Sequence, residues 1–184
     1  MSDNLTGMML VAVPHMLDPN FARSVVLVCD HTEEGALGLI VNRPTRAGVA
    51  AYLPVWTHLL IEPAVVFEGG PIQRDVAVGL ARCAPDQPAP IGLTLIDSGL
   101  GLFDLDSDPV NATSLEGLRV FSGYAGWEPG QLEAEILEGG WFVIPRQPED
   151  EFSAEPGGLW GRVLARQGGR LAVYANFPPD PTLN

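Results

Sequence analysis

The chain of 184 residues has no lysine; all ten of its basic residues are arginine. That excludes a lysine nucleophile, a Schiff base and the phosphate-gripping lysine of a P-loop. Positive charge is scarce altogether. Asp and Glu number 23, and the formal net charge is −13. Residues 97–155 hold 13 acids against only Arg119 and Arg146. Such a surface aids solubility and repels phosphate backbones, so direct nucleic-acid binding is not expected. Cysteine is nearly missing: Cys29 and Cys83 form no CxxC pair and cannot build a zinc site by themselves. Cys29, inside an apolar run, reads as a small core residue. The three histidines share no HxH or HExxH spacing. There is no GxSxG elbow and no GxGxxG turn, so neither a serine-hydrolase site nor a dinucleotide cofactor is indicated. No metal and no cofactor are expected. No apolar run approaches the roughly 20 residues of a membrane helix. The start, Met1-Ser2-Asp3-Asn4, lacks the basic region of a secretory signal. The expectation is a soluble cytoplasmic protein with no membrane attachment.

What is present is enough apolar mass for a core and an abundance of turn residues. Apolar residues make up 46% of the chain, too many for a disordered one. Folding a chain of this size buries about 70% of its extended surface, so no covalent staple is required. The 21 Gly and 17 Pro amount to about one residue in five, where about one in eight is usual. Short elements and many turns follow.

Residues 8–13, 25–29 and 36–41 are short apolar runs that read as buried strands. The second and third are joined by the polar loop 30–35, as in a hairpin. A helical turn is expected to start near Pro54. Residues 64–67, 76–81, 91–96, 102–103, 119–123 and 141–144 read as further strands. Pro129 opens a helix through about Leu137, with Leu132 and Ile136 facing the core. A second helix carries Leu159, Trp160, Val163 and Leu164 on one stripe. Residues 170–176 read as a last strand, and 178–181 as a stiff tail. Strands outnumber helices and are joined by short loops. The expected fold is α+β, one domain over 1–184. Its sheet is mixed, mainly antiparallel and strongly bent or partly closed, with helices packed outside.

Chemistry-bearing residues stand at the ends of apolar elements. Arg43, leaving a buried strand in Asn42-Arg43-Pro44, has the guanidinium geometry to grip a carboxylate or phosphate, or to pair with one of the chain's own acids. Arg23 has the same two readings. Gly69 and Gly70, after a strand, provide either a small anion nest or a tight turn. Residues 121–135 join a strand to a helix through glycines and aromatics. There Trp127 is either a staple packed on the helix or a ring exposed for stacking, and Gln131 sits beside it. His31, in the loop beside Asp30, is an exposed loop histidine or, with Arg43 as anion clamp, the base of an enzyme of unspecified class.

The same residues carry a resemblance. Gly123-Tyr124-Ala125-Gly126-Trp127, Pro129-Gly130-Gln131-Leu132-Glu133 and Glu135 resemble the signature of the YqgE/AlgH family of bacterial proteins. Asp18-Pro19, Phe21, Arg23-Ser24-Val25-Val26, His31, Asn42-Arg43-Pro44, Phe67, Gly69-Gly70-Pro71, Gly140-Trp141, Leu159-Trp160 and the end at Asn184 agree in order. The resemblance implies a bent α+β fold and a cytoplasmic protein of a largely uncharacterised family without established catalytic residues. One branch has been named a transcriptional regulator of exopolysaccharide production. The expected function is a binding or regulatory module, with an enzyme of unspecified class using His31 and Arg43, or a transcriptional regulator, as the alternatives. The module would have a surface cleft formed by Arg23, Asn42, Arg43, Gly69, Gly70, Trp127 and Gln131, for a small anionic ligand or a partner protein.

Overall fold

The computed structural model describes residues 4–179. The second half of the expected tail, 180–181, and the motif end at 180–184 lie outside them. Among the described residues, ten strands form one open, mainly antiparallel sheet. In chain order they are β1 (Met8–Ala12), β2 (Val25–Thr32), β3 (Gly35–Ile40), β4 (Pro44–Gly48), β5 (Val65–Glu68), β6 (Ile72–Cys83), β7 (Leu93–Asp97), β8 (Leu100–Phe103), β9 (Leu115–Trp127) and β10 (Trp141–Pro145). The helices are α1 (Gln131–Leu137), α2 (Leu159–Gln167) and α3 (Gly169–Tyr174), with a 3-10 turn at Pro54–Leu59.

The long strand β9 organises the sheet. Its first half pairs antiparallel with β6 and parallel with β5, which in turn pairs with β4. Its second half pairs with β3 through Ala36–Trp127, Leu37–Gly126 and Gly38–Ala125. From there the sheet continues through β2 and β1 to β10, and on the other side from β6 through β8 to β7. The bend sits where β5 gives way to β3 along β9. Strand ends meet there at backbone distance: Gly69 N donates to Ser122 O, Ile40 N to Gly69 O, and Glu68 N to Arg43 O.

β1, β2 and β3 are apolar on both faces because both faces are covered. Met9, Val11, Val25, Leu27 and Leu39 point to one core, where α2 contributes Leu159, Trp160, Val163 and Leu164. Leu10, Ala12, Val26, Val28 and Ile40 point to the other, under Leu132 and Ile136 of α1, Trp127 and Trp141. Trp160 Nε1 also donates to Ala12 O at 2.9 Å, fixing α2 to β1. A third core, around Trp56 and Phe103, lies beneath the 3-10 turn.

Several elements differ from the sequence expectation. Residues 170–176 are not a strand: 170–174 lie in helix α3, and 175–176 are the turn that follows it. Leu171, Tyr174 and Ala175 pack on the core, and that spacing of three and four is helical. Residues 124–127 are strand, not loop, continuing the expected strand 119–123. The glycines here allow close approach instead of a turn, since a Cβ at Gly123 would lie 2.6 Å from Gly70 O. The hairpin between β2 and β3 turns at Glu33-Glu34 alone, so His31 belongs to a strand. The polar edge strand β4 has no apolar signal in the sequence.

Candidate functional site

Helix α1 presents three different faces. Leu132 and Ile136 enter the core. Glu133 reaches back to β2, where its Oε1 lies 2.9 Å from His31 Nε2. Gln131, Glu135 and Glu138 follow the i, i+4, i+7 stripe and line an open hollow of about 470 Å³. The opposite wall is the segment after β1, with His15, Asp18 and Phe21, and the floor carries Trp127 and Trp141.

One carboxylate gathers the donors of this wall. Glu135 Oε2 accepts from Trp127 Nε1 and from Trp141 Nε1, both at 2.9 Å. Glu135 Oε1 accepts from Gln131 Nε2 at 2.9 Å. Gln131 is itself oriented by Glu128 N, which donates to its Oε1 at 3.0 Å. The indoles are nearly buried, and each packs on Phe21: Trp127 stacked at 6.1 Å, Trp141 edge-on at 5.5 Å. Trp127 is thus a buried anchor, not a free stacking ring. Two indole donors and an amide fix the carboxylate, and hydrogen bonds to a charged acceptor are about twice as strong as neutral ones.

The other expected site residues surround this hollow without lining it. Arg43 donates from Nη1 to Asn20 O at 2.6 Å and from Nη2 to Ala22 O at 2.9 Å, holding the turn that carries Asp18 and Phe21. Burial lowers its pKa most, while Glu68 and Asp18 push it back up. Arg23 lies 4.0 Å over the Trp160 ring and donates to Phe177 O and Pro178 O. Burial likewise lowers its pKa. Asn42 is buried between Val25 N, which donates to its Oδ1, and Arg23 O, which accepts from its Nδ2. Gly69 and Gly70 are buried at the sheet bend; a Cβ on Gly70 would stand 2.2 Å from Tyr124 O. Of the segments 42–44, 69–71 and 123–131, Arg43 O accepts from Glu68 N just before Gly69, and Gly69 and Gly70 abut Gly123 and Tyr124, in each case as packed backbone. An anion nest at the two glycines has no open face.

His31 is buried, and both ring nitrogens are engaged: Nδ1 accepts from Leu5 N at 3.0 Å, and Nε2 faces Glu133. The backbone donor leaves Nε2 as the protonated nitrogen. Among the described residues no cluster of three or more His, Cys, Asp or Glu side chains is placed to hold a metal ion. No helix among them is long and apolar enough to cross a membrane.

Sequence reasoning passed over Glu135, Trp141, Asp18 and Phe21 as site residues. The signal was available for one of them, since Gln131 and Glu135 are one helical turn apart beside Trp127. The approach of residues 15–21 to α1 depends on the sheet order.

A family model described as AlgH-like matches residues 9–172. The chain belongs to the AlgH-like family. It is 50% identical over 192 residues to a UPF0301 protein of Thermobifida fusca, covering 98% of this chain and 96% of that one. A UPF0301 protein of Mycobacterium avium is 40% identical, over 97% of this chain and 90% of the other. A crystal structure from Corynebacterium diphtheriae superposes with a TM-score of 0.85 at 35% identity, covering 93% and 91% of the two chains. The solution structure of AlgH from Pseudomonas aeruginosa gives 0.68 at 30% identity, covering 97% and 96%. These solved relatives agree with the open, mostly antiparallel α+β architecture described above.

Proposed function

We propose that this AlgH-like protein is a binding module and that the hollow between α1, β10 and the segment after β1 is where it binds. The observation that carries this reading is the convergence of two indoles and a glutamine on the Glu135 carboxylate in an open wall. A core does not need a charged group there, whereas a recognition site needs an oriented one in a largely preformed concavity. Gln131 is the exposed motif residue of this wall, and the buried Trp127 anchors it through Glu135. Arg43 and Arg23 support it by fixing the backbone at Asn20, Ala22, Phe177 and Pro178. The ligand differs in sign from the small anion expected from the sequence: Asp18, Glu135 and Glu138 line the hollow, and no arginine does.

A fragment screen by protein-observed NMR tests the reading. Binding fragments should shift the indole N–H signals of Trp127 and Trp141 and the amides of Phe21 and Gly140. Hits that cluster on another surface, or a screen without hits, refute it.

A further inference from the structure

We infer that the hollow takes an arginine side chain of a partner protein, followed by an apolar residue; this rests on the binding reading above. Two groups of observations point there.

The first concerns charge and shape. The lining carries three carboxylates, on Asp18, Glu135 and Glu138, and no arginine. The chain has no lysine, and the basic groups near this wall are His15 in its lining and Arg43, which acts on Asp18 from behind the turn; neither is hydrogen-bonded to Glu135. Glu135 has two oxygens with about four acceptor positions. Two on Oε2 go to indoles and one on Oε1 to Gln131, leaving room on Oε1 for a further donor. A guanidinium is flat and weakly hydrated, and it can stack on an aromatic surface while donating to a carboxylate. This protein stacks its own arginines on rings while they donate to backbone carbonyls: Arg23 lies 4.0 Å over Trp160 and Arg119 4.3 Å over Phe67. An ammonium ion, a compact and strongly hydrated point charge, gains less beside aromatic walls.

The second concerns continuity. A smaller hollow of about 220 Å³ shares Val13, His15 and Gly139 with the first. Its walls are apolar and aromatic: Phe142, Tyr174, Phe177 and Pro178. Phe142 stacks on Tyr174 at 5.9 Å, and Phe177 meets Tyr174 edge-on at 5.1 Å. An acidic compartment joined to an apolar one matches two neighbouring residues of different character on one extended segment.

The test is an NMR titration of the full chain with three capped dipeptides: N-acetyl-Arg-Leu-amide, N-acetyl-Lys-Leu-amide and N-acetyl-Glu-Leu-amide. The indole N–H signals of Trp127 and Trp141 report the first compartment, and the backbone amides of Phe142 and Tyr174 report the second. The arginine peptide is expected to move both sets with saturation and to bind several-fold more tightly than the lysine peptide. Glu135→Gln keeps the side-chain shape and an oxygen acceptor, and should weaken binding about tenfold or more. Asp18→Asn with Glu138→Gln, both on exposed side chains, should weaken it several-fold with the melting temperature unchanged. Equal or tighter binding of the glutamate peptide overturns the arginine assignment and leaves the binding reading standing. So does arginine-peptide binding that is indifferent to Glu135→Gln. Failure of all three peptides overturns the inference; a silent fragment screen besides would remove the reading beneath it.

Discussion

Gly123→Ala perturbs the bend of the sheet at one atom. Gly123 has φ +71°, a region in which an L side chain costs roughly 1–2 kcal/mol. The added Cβ would also lie 2.6 Å from Gly70 O and 2.8 Å from Ile72 O, both backbone atoms that must shift. Overpacking of this kind costs about 1–3 kcal/mol. The two effects sum to roughly 2–5 kcal/mol, and at about 2–4 °C per kcal/mol the melting temperature should fall by about 4–20 °C. Two controls separate the contributions. Gly130 has φ +74°, but an added Cβ there would meet nothing within 4 Å, so Gly130→Ala should show the conformational cost alone, a few degrees. Gly48 has φ −67° and open space, so Gly48→Ala should match the wild type or gain up to about 1 kcal/mol. Calorimetry and urea unfolding give the three values. Equal destabilisation by Gly123→Ala and Gly130→Ala would refute the claim that close backbone approach at the bend, beyond φ, makes alanine costly there.

Three further outcomes follow from the side chains. Arg43→Ala should cost about 2–3 kcal/mol through two lost charged hydrogen bonds, with faster hydrogen exchange at the amides of Phe21 and Ala22; unchanged exchange there would refute its role in holding that turn. Asp97 is held below its ordinary range, first by the Ser98 backbone N–H and then by Arg146. Its contribution is present above the unfolded Asp pKa of about 3.9 and is lost as the pH falls through the lower folded value, so the stability gap between wild type and Asp97→Asn should be open at neutral pH and close in acid. A gap that widens on acidification would reverse the sign. Burial pushes both the Cys29 and Cys83 thiols up, so Ellman's reagent should find neither in the native protein at neutral pH and both in guanidinium; fast native labelling would contradict the packing.

The strands that were legible in the sequence are those buried on both faces, because double burial writes a continuous apolar run, as in residues 25–29. The α2 stripe was legible because one buried face writes a period near 3.6. Residues 170–176 were ambiguous: Leu171, Val173 and Ala175 alternate like a strand, while Leu171, Tyr174 and Ala175 make a helical face, and packing chose the second. Residues 124–127 misled because glycine marks both turns and crowded backbone crossings. Trp127 and Gln131 were found from their place beside a helix start. The rest of the hollow was hidden, since Phe21 and Trp141 are far apart along the chain and meet only when β10 pairs with β1.

Because β9 serves both halves of the sheet, no cut through the chain separates two pieces that each retain a complete set of strands. Removing residues 115–127 deprives β3, β5 and β6 of a neighbour at once. The expectation is a single sharp unfolding transition, with the rim around Glu135 dissolving together with the distant β7–β8 edge. Circular permutants opened at the exposed 85–90 loop should survive, whereas those opened within β9 should not assemble.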